Sequence, residues 1–162
     1  MKSAVIATPV GHLLLCCDGE AIVGVSFAEP PETEEAEWPE CGLLKRCKDE
    51  ITLYFEGKLR DFAVPLKPEG TDFRKKCWEA LRTIPYGKTI AYKELAVMVN
   101  NPKASRAVGQ ANHRNPIAII VPCHRVIGAG GKLTGFGGGL EKKQFLLEHE
   151  QKHLPTLAKL QD

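Results

Sequence analysis

The residues with most chemistry to offer stand together at Pro122-Cys123-His124-Arg125. A thiol beside an imidazole and a guanidinium is a nucleophile with a base and a cation close in the chain. The apolar run Ile117-Ala118-Ile119-Ile120-Val121 precedes it, and Val126-Ile127 follows. A run this long and this β-branched predicts a strand or extended segment threaded through a core, stopped by Pro122 with Cys123 at its tip. Adjacent side chains of an extended segment point apart, so Cys123 and His124 are expected not to touch directly. The plainer reading is a buried structural thiol, and the four residues alone do not choose between the two.

The elements that must position this stretch lie on both sides of it. Thr71 can cap a helix whose Phe73, Cys77, Ala80 and Leu81 share a face, ended by Ile84-Pro85-Tyr86-Gly87. A short helix over residues 92–99, a turn at Asn100-Asn101-Pro102-Lys103 and a second helix from about Ala104 to Asn112 describe a helix-turn-helix. Small residues at 104, 105, 107, 109 and 111 keep the second helix low, so its backbone can approach a partner closely. Beyond the cysteine, Gly128–Gly131 and Gly135–Gly139 fit neither phosphate-loop nor dinucleotide spacing. They read as backbone that must come close to a flat ligand or to DNA. Leu140 to Glu150 predicts a final helix with Phe145, Leu146 and His149 facing inward. Glu148 or Glu150 on it is placed to reach back to a histidine.

The front of the chain offers strands and little chemistry. Apolar runs at 4–7, 13–17 and 22–27 are separated by Pro9-Val10-Gly11 and Asp18-Gly19-Glu20, both turn signals. An acidic loop with six glutamates covers 29–40, and Leu43, Leu44, Cys47, Ile51 and Tyr54 recur at helical spacing before Gly57. A short strand is expected around Phe62–Leu66. Net charge is +2, but residues 1–71 carry −6, residues 72–132 carry +8 and the remainder is neutral. A basic middle beside an acidic front is the electrostatic footprint of a nucleic-acid surface confined to one region.

The composition, 43% hydrophobic and 26% charged, is that of a soluble globular protein with room for a proper core. Pro9, Gly11 and His12 interrupt the apolar start, so no secretion signal is expected and the six cysteines are expected to be reduced thiols in the cytoplasm. Their spacing suits metal poorly; some mix of Cys16, Cys17, Cys41 and His12 is the one set worth testing for zinc.

Taken together, Pro122-Cys123-His124-Arg125-Val126, Tyr92 with the helix-turn-helix after it, Arg106, Asn115 and the Gly135–Gly139 loop resemble the methylated-DNA–protein-cysteine methyltransferases, the O6-alkylguanine-DNA alkyltransferases. The likeness covers about Thr71 to His153, with a weaker match of layout in front. It implies an α/β N-terminal domain like ribonuclease H over residues 1–66 and a linker at 67–71. A mostly helical, winged-helix-type domain with the helix-turn-helix would follow over 72–162. It implies an alkyl group taken from guanine O6, and from thymine O4 as well, and passed once and irreversibly to Cys123, with no cofactor and no metal. The target base lies inside a duplex and has to be flipped out.

By the same resemblance His124 is the base, acting through a water, and Glu150 orients it. Asn115 buttresses the helix-turn-helix against the site, and Tyr92 supports flipping and aids departure of the guanine. Arg106 fills the vacated space in the stack. Lys103, Ala104, Ser105, Gly109, Arg114 and Arg125 join it at the DNA, in the minor groove, and Val126, Phe136, Gly137 and Gly138 line the base pocket with Tyr92. The implied partner is duplex DNA bearing alkylated guanine; the protein is expected to be a monomer, off any membrane, with access to nucleoid or nuclear DNA. Phe136 stands where relatives often have tyrosine, which predicts a roomier pocket and tolerance of larger alkyl groups. A different reading keeps the helix-turn-helix as a DNA-binding regulator and Cys123 as a structural or redox-sensing thiol.

Overall fold

A computed structural model describes residues 1–31, 39–136 and 138–159. Most of the acidic loop, including Glu32, Glu34, Glu35 and Glu37, therefore lies outside the described residues, as does Gly137. Three strands, β1 (Lys2–Thr8), β2 (Gly11–Cys17) and β3 (Ile22–Ala28), form an antiparallel meander in the order β1-β2-β3. Leu13, Leu15 and Cys17 alternate inward along β2, as a sheet with one covered face requires. At the second turn the Asp18 carboxylate accepts the N–H groups of Glu20 and Ala21, and Gly19 takes a positive φ of 97°.

Helix α1 (Gly42–Phe55) lays Leu44, Cys47, Ile51 and Tyr54 on that sheet. The strand expected around 62–66 does not form. Val64 and Ala63 give their N–H groups to the Glu50 carboxylate, Pro65 has none to give, and only Leu66 bridges to Ile22. A carboxylate on α1 thus replaces a ladder partner.

The second half is helical. Thr71 caps α2 (Asp72–Leu81) by accepting the Arg74 N–H, and the helix buries Cys77, Trp78 and Leu81. Helices α3 (Tyr92–Met98) and α4 (Ser105–His113) follow, with Asn100 at φ 59° in the turn between them. Two short strands, β4 (Ile90–Ala91) and β5 (Val126–Ile127), pair in parallel on either side of the helix-turn-helix. Helix α5 (Leu140–Lys159) runs well beyond the predicted end at Glu150 and carries Pro155 inside it. Its inward residues are Lys143, Leu146, His149, Glu150 and Leu157, whereas Phe145 stays 37% exposed. Buried side chains from both halves form one continuous core.

Candidate functional site

The run before the cysteine is not a strand. Ile117 makes a single parallel bridge to Val25 at the edge of β3, and the chain then turns. Val121 N–H bonds back to the Ile117 carbonyl and Ile120 N–H to that of Ala118, with Ile119 at φ 70°. Positive φ at a β-branched residue is costly and persists only where packing enforces it; Ile119 is 1% exposed. The apolar run is explained by burial on all sides rather than by sheet pairing. Cys123 then opens a 3-10 turn, Cys123–Arg125, in place of an extended tip.

Two asparagines lock that turn. Asn115 donates to the Val121 carbonyl at 2.8 Å and accepts the Ile117 N–H. Asn112, on the inner face of α4, donates to the Cys123 carbonyl at 3.3 Å. Asn115 was legible in the sequence. Asn112 was not, though a polar residue four positions after Val108 on a helix that must bury Val108 is a usable signal.

His124 and Glu150 meet as expected. His124 Nε2 and Glu150 Oε2 are 2.6 Å apart, and both side chains are buried. Burial pushes the imidazole below its ordinary value, against the pull of Glu150, so it is held neutral. Burial would raise the Glu150 carboxyl, but His124 and Arg125 outweigh it and hold the carboxyl well below the usual carboxylate range. A carboxylate only accepts, so Nε2 carries the proton and Nδ1 keeps a lone pair. That Nδ1 is buried and bonds no protein group among the described residues. Glu148, the competing candidate, accepts from Gln144 on the helix surface and from no other side chain among the described residues.

Arg125 is not a DNA contact. It is 6% exposed, its Nε and Nη2 hold the two Glu150 oxygens at 2.9 and 3.1 Å, and its Nη1 donates to the Ile84 carbonyl. A guanidinium in this position is the buried counterion that keeps Glu150 charged. Two more donors complete the set: Gly87 N–H to Oε1 at 3.0 Å and Tyr54 Oη to Oε2 at 2.7 Å. Tyr54 comes from α1, so the front half, which showed no chemistry in its sequence, supplies part of the relay.

Burial also raises the Cys123 thiol, opposed by Asn115 and by Lys143. Lys143 is fully buried, with Nζ bonded to the carbonyls of Val126 and Thr134 at 2.6 and 2.8 Å. Nothing in the sequence singles it out, since a lysine on a helix is ordinarily solvated. Val126 is itself fully buried in the core and is not among the residues lining the cavity beside Cys123; its carbonyl serves Lys143.

That cavity, about 190 Å3, is lined by Cys123, Asn115, Phe27, Phe136 and Gly138 among others. Phe136 is buried edge-on against Phe27 of β3, centroids 5.7 Å apart. A Cβ at Gly138 would fall 2.5 Å from the Phe27 ring, which is why glycine stands there.

The helix-turn-helix presents the remaining residues. Arg106, Lys103 and Arg114 are exposed, while Ala104, Ser105 and Gly109 are half-buried beside them. Tyr92 opens α3 and donates to the Thr134 carbonyl at 3.2 Å, over the glycine loop. A Cβ on Gly109 would meet the Tyr92 ring at ordinary contact distance, so this glycine is not sterically required.

Such a fold and site define a DNA-binding domain that carries a buried thiol with a base and carboxylate behind it, packed on an α/β domain. Comparison with known proteins agrees. Residues 1–68 match the ribonuclease-like domain of 6-O-methylguanine DNA methyltransferase and residues 72–152 its DNA-binding domain. A methylated-DNA–protein-cysteine methyltransferase of Methanosarcina acetivorans is 50% identical over 153 residues, covering 93% of this chain and 98% of that protein. The crystal structure of Mycobacterium tuberculosis O6-methylguanine methyltransferase superposes with a TM-score of 0.85 at 44% identity over 99% of both chains. A second structure from that organism, solved in complex with DNA, gives 0.85 at 45% identity over 94% of each chain. The chain belongs to the 6-O-methylguanine DNA methyltransferase family.

Proposed function

We propose that this protein repairs DNA by taking the alkyl group from guanine O6 onto Cys123. The observation that carries this reading is Cys123 on the wall of a cavity, with the neutral His124 and charged Glu150 buried behind it. Attack at the alkyl carbon forms a C–S bond and breaks the bond to O6. The guanine leaves with the electron pair and the thiol proton passes to His124 Nδ1. A water between Nδ1 and the thiol suits a buried nitrogen with no protein partner. Glu150 steadies the resulting imidazolium, and Lys143 and Asn115 favour the thiolate. The thioether is stable, so each molecule acts once.

The base reaches the cavity by flipping. Arg106 enters the stack, Tyr92 supports the turned-out nucleotide, and Lys103, Ala104, Ser105, Gly109 and Arg114 lie along the minor groove. Phe136, Gly137 and Gly138 meet the base, and the site accepts alkyl groups larger than methyl. The protein works as a monomer, with residues 1–66 and 72–162 as its two domains. None of the described helices is long and apolar enough to cross a membrane.

The test is an intact mass after incubation with a duplex bearing O6-methylguanine. A gain of one methyl group, mapped to Cys123, is expected, and Cys123→Ser should bind the duplex without gaining mass. Unchanged wild-type mass with DNA binding intact would instead leave a helix-turn-helix regulator.

A further inference from the structure

Far from the acceptor cysteine, at the other end of α1, two thiols face each other. Cys17, the last residue of β2, and Cys41, the residue capping α1, bring their Sγ atoms to 2.8 Å. The two free thiols are hydrogen-bond partners, and a bond between them would bring the sulfurs to about 2.05 Å. We propose that this pair is a thiol–disulfide exchange site, at which a small-molecule disulfide of the oxidised-glutathione type is reduced while a Cys17–Cys41 bond forms.

The two thiols are chemically unequal, which sets the order of events. Cys41 is half-exposed. A hydrogen bond from Cys17 first, then the Leu44 and Leu43 N–H groups of the first turn of α1 and the ammonium of Lys2, hold its thiol below the ordinary cysteine value. Thiolates at helix N-termini beside a cation are the reactive ones. Cys17 is buried, and burial pushes its thiol up. Cys41 is therefore the attacking thiol and Cys17 the resolving one. Among the other cysteines, Cys47 is buried with its thiol pushed up to about 12, and Cys16 and Cys77 are likewise raised by burial.

Access and ligand chemistry agree with this. A cavity of about 620 Å3 opens at Cys41 and is lined by Lys2, Arg46, Asp18 and Glu40. Lys2 and Arg46, the latter also 3.5 Å from Glu50, supply positive charge at this cavity for the carboxylates of a peptide disulfide, while Asp18 is already engaged by the Glu20 and Ala21 N–H groups and by Lys67. No group of three or more His, Cys, Asp or Glu suited to a metal gathers among the described residues.

The exchange balances without a further reactant. Cys41 thiolate attacks one sulfur of the disulfide and expels one glutathione thiolate, leaving a mixed disulfide. Cys17 loses its proton to solvent and attacks Cys41 Sγ, expelling the second glutathione thiolate, which is protonated in turn. Two protein thiols are oxidised and one small disulfide is reduced to two thiols.

The experiment treats the full-length, DNA-free protein with oxidised glutathione and reads intact mass and non-reducing peptide maps; alkyl transfer plays no part in the readout. Loss of two hydrogen atoms, a peptide joining Cys17 to Cys41, and reversal by dithiothreitol are expected. Cys17→Ser should stop at the first step and keep one glutathione on Cys41. Cys41→Ser, a change at a half-exposed position, should give neither cross-link nor adduct at Cys17. Wild-type protein recovered with both residues as free thiols overturns the proposal. So does a lasting glutathione adduct on Cys41 without the cross-link, whatever Cys123 does.

Discussion

At the scale of single residues, the roles proposed above fall into exposed groups for DNA and buried groups for the thiol. Arg106 stands exposed on α4, and its side chain makes none of the hydrogen bonds or ion pairs found among the described residues. Replacing it should leave the fold unchanged. Arg106→Ala is expected to slow transfer from O6-methylguanine in a duplex at least tenfold, and transfer from the free O6-alkylguanine base hardly at all. Equal slowing of the two would remove its role in flipping. Arg125, only two residues from Cys123, has the opposite character: its side chain is 8% exposed, its guanidinium held by Glu150 and the Ile84 carbonyl. The resemblance placed it among the DNA ligands, and its burial against Glu150 says otherwise.

At the scale of elements, the front sheet and α1 are part of the site. Tyr54 projects from α1 to Glu150 at 2.7 Å and is fully buried. Tyr54→Phe keeps the ring among Phe55, Phe62 and His149 and removes one hydrogen bond to a carboxylate. A loss of about 2 kcal/mol in urea unfolding is expected. Transfer should slow several-fold while DNA affinity is unchanged; a variant as fast as wild type would show that Gly87, Arg125 and His124 hold Glu150 alone. Phe27 does for the pocket what Tyr54 does for the relay. Phe27→Ala should widen the cavity beside Phe136 and raise the rate on O6-benzylguanine relative to O6-methylguanine in competition. An unchanged ratio would mean that Phe136 and the glycine loop set the size limit without β3. The helix-turn-helix, α5 and the hairpins were legible from periodicity, caps and turn residues. The 62–66 strand and the 117–121 strand were not real, because Glu50 and a buried turn took the hydrogen bonds that sheet neighbours would have taken.

For the whole molecule, the buried histidines and the relay carboxylate tie stability to pH. His124 and His149 are both held below the ordinary histidine value, by burial first in each case. The folded state therefore binds fewer protons than the unfolded chain near pH 6. Their contribution is complete above the unfolded value of about 6.5 and is lost as pH falls below it. Glu150, held low, adds a second loss below about 4.3, the unfolded glutamate value. The urea midpoint should fall from pH 7.5 to pH 5 and more steeply below pH 4.5. A midpoint that rises on acidification contradicts this, and His149→Gln should shrink the first decline. The acceptor site depends on the same buried charges, so acid should cost activity before it unfolds the protein.

The sequence by itself determined the family and singled out Cys123, His124 and the helix-turn-helix as candidates for the site. These reside in short runs of residues whose types are required by the chemistry and whose neighbours are close in the chain. Tertiary structure alone decided that Arg125 and Lys143 are buried cations, that Arg125 and Tyr54 share Glu150 with His124, and that Phe27 lines the cavity beside Cys123. Those partners lie between 17 and 109 positions from the residues they serve, as Lys143 to Val126, Tyr54 to Glu150 and Phe27 to Phe136 show. A charged or aromatic side chain carries no local mark of whether it will be solvated or enclosed. That depends on which surfaces the core brings together, and here one continuous core joins the two halves around Glu150.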